Sequence, residues 1–157
     1  MKPEVLFLKY AFPCTFVIRQ RGEITDEELK RLEEAAINNE VLPRMFLERV
    51  YFRAFERIDK LAHELGKERW DPAVIRDYFV HRHNDIIDKG MYSYAKAPES
   101  LKNLCKVHVA TVKEVTGDVL VVEYGRGQRR PVSKDLIANV RAGDKVMIHY
   151  GYASEKL

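Results

Sequence analysis

Cysteine is nearly absent from this 157-residue chain, with only Cys14 and Cys105, far apart. That excludes a disulfide framework, a zinc knuckle and a redox C-x-x-C pair, each of which needs closely spaced thiols. Long apolar runs are missing too. The longest, residues 5–18, is interrupted by Lys9 and Pro13 and is too short for a bilayer core about 30 Å thick. Lys9 also spoils it as a signal peptide, and no small-x-small cleavage site follows. A cytoplasmic protein with no membrane partner is expected. The chain also lacks a Gly-x-Ser-x-Gly elbow, a phosphate-binding loop, an H-E-x-x-H pair and a dinucleotide fingerprint. No catalytic residue is assigned, and an enzyme is not expected.

Apolar residues make up 46% of the chain and charged residues 32%, the balance of a protein that folds around a core. The net charge of +3 resides in the C-terminal third, since Lys and Arg are matched by Asp and Glu over residues 1–103. So small an excess does not demand a nucleic-acid partner.

After an extended apolar lead, Thr25-Asp26-Glu27-Glu28 has the S/T-x-x-E form of a capping box, and a helix is predicted from Asp26 to about Asn38. Beyond Pro43, the spacing of Leu47, Tyr51, Ala54, Ile58, Leu61 and Leu65 alternates between four and three, one face of a second helix that stops at Gly66. Asp71-Pro72 opens a third, which Ile75, Tyr78, Phe79, Arg82, Ile86 and Ile87 carry to Gly90. Residues 1–92 thus read as a helical domain of about three helices, and 93–103, around Lys96-Ala97-Pro98-Glu99-Ser100, as a linker.

From residue 104 the period changes. Short Val-rich runs are separated by Thr116-Gly117-Asp118, Gly125-Arg126-Gly127 and Ala142-Gly143-Asp144, the pattern of a small OB-like β-barrel over 104–157. The fold class is α+β. In the last long run, Val146, Ile148 and Tyr150 alternate with Met147 and His149. If the first set faces the core, His149 points outward, as a contact or ligand or simply as a solvated side chain. Cys105 opens the first β run, as a ligand or as a small buried hydrophobe. Two such residues make only half of a metal site. The basic loop Arg126, Arg129, Arg130 supports an alternative reading, a nucleic-acid-binding barrel. His81 with Asp85, one helical turn apart, is a possible ligand pair or a solvated face. A third reading has Cys14, His81 or His83 join Cys105 in an enzyme site between the domains.

The order Val122-Glu123-Tyr124-Gly125, Arg129-Arg130, Val132-Ser133-Lys134-Asp135-Leu136-Ile137 and Val140-Arg141-Ala142-Gly143-Asp144-Lys145-Val146-Met147-Ile148-His149-Tyr150-Gly151-Tyr152-Ala153 resembles the HypC/HupF family of hydrogenase-maturation chaperones. The resemblance covers the last third of the chain. It implies a non-catalytic accessory protein that binds a hydrogenase maturation factor or a metalloenzyme precursor. It also implies that Cys105 and His149 are the metal-binding and partner-binding pair, with Gly151 and Tyr152 beside them in the partner contact. No cofactor is expected to stay bound, and iron is carried only transiently. Two features depart from the pattern. The family cysteine follows the initiator methionine, whereas Cys105 is internal, and Val109 and Ala110 stand where Pro-Gly is expected.

Overall fold

The apolar opening of the chain is helical rather than extended. In the computed structural model, which describes residues 1–157 apart from the side chain of Ser93, Pro3–Ala11 form α1, Phe12–Cys14 a 3-10 turn and Thr15–Gln20 α2. Every residue from Glu4 to Ala11 is buried. A helix enclosed on all sides needs no polar stripe, so its sequence carries no clear 3.6-residue period. Pro13, which reads as a break, sits within the 3-10 turn that joins the two helices. The chain divides into two units, Met1–Arg82 and His83–Leu157.

In the first unit, α3 (Asp26–Asn38) begins with the expected capping box. Thr25 Oγ1 accepts from the Glu28 amide at 3.1 Å, and Glu28 Oε2 accepts from the Thr25 amide at 3.0 Å. The second predicted helix is interrupted. It forms α4 (Arg44–Val50) and α5 (Phe52–Leu65), broken at Tyr51, whose hydroxyl lies 2.6 Å from Thr15 Oγ1. Gly66, at φ +63°, ends α5 in the left-handed conformation that a side chain resists. Asp71 caps α6 (Pro72–Asp77) by accepting from the Ala73 amide at 2.8 Å, and a π-helical segment, Tyr78–Arg82, follows.

Helix α1 packs against α3, α4 and α6, so its aromatic residues meet those of the other helices. Phe7, fully buried, has ring centroids of Phe55 at 4.7 Å, Tyr51 at 5.3 Å, Trp70 at 5.6 Å and Phe79 at 5.8 Å. That cluster is the centre of the helical core.

The second unit opens with α7 (His83–Asp88), a 3-10 turn at Tyr92–Lys96 and α8 (Glu99–Cys105). Five strands follow: β1 (His108–Thr116), β2 (Val119–Tyr124), β3 (Gln128–Ser133), β4 (Lys145–His149) and β5 (Tyr152–Lys156). They close into an OB-like barrel in the order β1-β2-β3-β5-β4. The neighbours are antiparallel except β3 with β5. Alternate residues from every strand fill the barrel: Ala110, Val112, Leu120, Val122, Tyr124, Val132, Val146, Ile148 and Ala153. Closure removes the edges that an open sheet of such Val-rich strands would expose to aggregation.

The segment read as a linker over 93–103 carries most of the 3-10 turn and most of α8. Helix α7 is tied to the lead into β1 by Asp88, which pairs with Lys106, and by both polar groups of one amide side chain. Asn84 donates from Nδ2 to the Val107 carbonyl at 2.7 Å and accepts at Oδ1 from the Val107 amide at 2.8 Å. A fragment beginning at residue 83 should therefore be more stable than one beginning at residue 104, by about 1–3 kcal/mol from those two bonds alone. Equal urea midpoints for the two fragments would refute this.

Candidate functional site

Both faces of β4 are covered. Val146 and Ile148 point into the barrel as the alternation predicts, but Met147 and His149 on the other face are buried too, His149 at 0% exposure. The expectation of an outward, solvent-reached His149 is corrected. Alternation assigns a residue to a face and says nothing about what covers that face. Here His83 of α7 lies edge-on to His149, with ring centroids 5.3 Å apart and planes at 76°. Tyr150 is not a strand residue. It sits at φ +50° in the β4–β5 turn, half-buried, with its amide donating to the Leu104 carbonyl at 3.2 Å.

Cys105 ends α8 instead of opening β1, and it is 1% exposed. Its thiol donates to the Tyr150 hydroxyl at 2.6 Å. Burial pushes the thiol above its ordinary pKa, and its hydrogen-bond contacts with Tyr150 and Tyr94 and the charge of Arg130 oppose that shift. Tyr150 thus links the two candidates, because its hydroxyl meets Cys105 while its ring lies 5.2 Å from that of His149. Beside them, Asn103 donates from Nδ2 to the Tyr124 hydroxyl at 3.0 Å, and its carbonyl accepts from His108 Nε2 at 2.8 Å. The His108 ring packs 4.7 Å from that of Tyr124, and burial holds its pKa below the usual histidine range. The cluster is polar and aromatic, with Cys105, Tyr124 and His149 buried and Tyr94, Asn103, His108 and Tyr150 half-buried. Among the described residues, no three His, Cys, Asp or Glu side chains converge to hold a metal ion.

Residues 105–157 match the HupF/HypC family. No curated protein matches the chain. The HupF/HypC segment begins at Cys105, the last residue of α8, and takes in all five strands. Where the family pattern has Pro-Gly, Val109 pairs with Met147 of β4 and Ala110 enters the core. Gly151 is exposed, and its carbonyl accepts from the Ser133 amide at 2.7 Å. Tyr152 is half-buried and is paired with both His149 and Ser133. These two residues lie at the turn where β5 meets β3 and β4.

The three arginines of the basic loop have different surroundings. Arg126 is exposed in the β2–β3 turn, but Arg129 donates to Glu123 at 2.9 Å, and Lys113 shares that carboxylate at 3.4 Å. Arg130 is half-buried, with its guanidinium 4.9 Å over the Tyr124 ring. With Arg129 exposed but paired to Glu123 and Arg130 half-buried, the loop gives little of the counterion release that nucleic-acid binding draws on.

In the first unit, Cys14 is half-buried and its thiol donates to the Ala11 carbonyl at 3.1 Å. His81 pairs with Asp77 at 2.7 Å, one turn toward the N-terminus, instead of with Asp85. Sequence reasoning passed over Asn84, Asn103, Tyr94 and Tyr150 as parts of the cluster. Only Tyr150 carried a signal, its place next to His149 within the family run.

Proposed function

We propose that the chain is a non-enzymatic accessory protein of metalloenzyme maturation, hydrogenase maturation in particular, acting in the cytoplasm through protein–protein contact. The observation that carries this reading is the HupF/HypC match over 105–157, which spans a closed barrel and starts at Cys105. In this reading Cys105 and His149 are the partner contact and the transient ligands of an iron fragment, with Gly151 and Tyr152 flanking them. Thiolate and imidazole both suit iron, while two protein ligands hold it weakly enough to be passed on. Among the described residues no helix is long and apolar enough to cross a membrane, in keeping with a partner met in solution.

The test mixes the full chain with the precursor of a nickel–iron hydrogenase large subunit and follows complex formation by calorimetry. A complex should form, and Cys105→Ser, measured well below its own melting midpoint, should weaken it by about tenfold or more, roughly 1.4 kcal/mol. Iron measured by mass spectrometry in the complex reports the carrier role separately. No complex with such a precursor, or full affinity in Cys105→Ser, would overturn the assignment.

A further inference from the structure

We propose that α7 is an inhibitory strap that closes the His149 face of the barrel and must lift before that face can be used; its inhibitory role, though not its closing, rests on the functional reading above. The strap is the last six residues, His83–Asp88, of a helical run that continues without a break from Pro72 through the π-helical segment. As the end of that run, followed by a turn at Gly90, it can fray from its C-terminus, and against the barrel it is held by what it touches. Its contacts are specific: the His83 ring against His149, both Asn84 bonds to the Val107 backbone, and Asp88 Oδ1 accepting from Lys106 Nζ at 2.6 Å. Ile86 and Ile87 are buried with them.

None of these contacts belongs to the strand ladder. The barrel closes through its five strands alone, so α7 can detach while every ladder remains paired. The terminal turns of a helix, held by a few side chains, open at lower free energy than the sheet beside them. The segment that follows is suited to a hinge. Gly90 stands at φ +61° and Tyr92 at φ +55°, while Met91 and Tyr92 are exposed. His149, at 0% exposure, is out of reach until the strap lifts. A partner that uses His149 pays for that opening, and its apparent affinity falls by the fraction of molecules with the strap open.

The test treats the full chain with diethylpyrocarbonate and measures modification of His149 by peptide mass. Hydrogen exchange at Val112, Leu120 and Val122 reports whether the barrel stays closed. Asn84→Ala should speed His149 modification by about tenfold while protection of the three barrel amides is unchanged, tenfold corresponding to one lost buried hydrogen bond or slightly more. Lys106→Gln, which removes only the ion pair, should give a smaller increase of about two- to threefold, and it serves if Asn84→Ala loses barrel protection. Unchanged His149 modification with a protected barrel overturns the strap, as does wild-type modification as fast as at the exposed His81. Hydrogenase-precursor binding forms the second arm. Tighter binding by the opened variant supports the inhibitory role, and unchanged binding overturns it. Failure of both wild type and variant to bind counts against the functional reading, while strap closure is decided by the modification rates.

Discussion

Replacing His149 with alanine should destabilise the unit His83–Leu157 by about 2–4 kcal/mol, the range of a large-to-small change in a packed interior. A residue reached by solvent would lose about 0.5 kcal/mol or less. The larger figure follows from 0% exposure and from two ring neighbours, His83 at 5.3 Å and Tyr150 at 5.2 Å. Removing the imidazole leaves a space that β4, paired on both sides, cannot collapse to fill. His149→Phe keeps a ring of similar size and should cost less, about 1.5 kcal/mol or below. Urea denaturation followed by a barrel probe would read the difference, and a loss below 0.5 kcal/mol in His149→Ala would contradict the burial. The pair matters for function as well as stability. An alanine variant that fails to bind a partner reports an impaired fold and a lost contact together, whereas the phenylalanine variant removes the ring nitrogens and leaves most of the packing.

The burial of His149 marks where sequence reasoning stops. Residues 104–157 showed the barrel, and the run from Val122 to Ala153 within them the family resemblance, because strand length, turn glycines and residue order are all local in the chain. Local chemistry also held at Thr25–Glu28, Gly66 and Asp71–Pro72, where a cap or a stop depends only on neighbours in sequence. Cover does not. That α7 would turn its histidine onto β4, and that Asn84 would take both polar groups of Val107, are contacts between residues more than twenty positions apart, with no periodic signature. Cys105 was misplaced for a related reason. Pro98 opens a seven-residue helix too short to show a repeat, so its last residue was read as the start of the strand that follows. The break at Tyr51 escaped notice because Leu47 and Ile58 keep their face across it, and the feature that accompanies the break is a hydroxyl contact to Thr15.

The opening residues present the opposite problem, an apolar segment whose burial was legible and whose conformation was not, and they carry the largest single-residue effect. Phe7→Ala should destabilise the helical unit by about 3–5 kcal/mol. Phe7 is fully buried in α1, a helix enclosed from Glu4 to Ala11, and its ring meets Tyr51, Phe55, Trp70 and Phe79. Those partners come from the α4–α5 junction, α5, the approach to α6 and the π-helical segment, so one truncation removes contacts from several parts of the core. Edge-to-face and tilted aromatic pairs add about 0.5–1.5 kcal/mol each beyond the area they bury, which places the loss toward the upper end of the range. For a unit of this size each kcal/mol lowers the melting temperature by about 4–8 °C, giving a fall on the order of 20 °C in the helical signal at 222 nm. Phe16→Ala is the control. Phe16 lies on α2 at 41% exposure, with its ring 5.7 Å from Phe12, and its loss should lower the midpoint by only a few degrees. If the two variants melted together, the stability of the helical unit would lie elsewhere than in the ring cluster around α1.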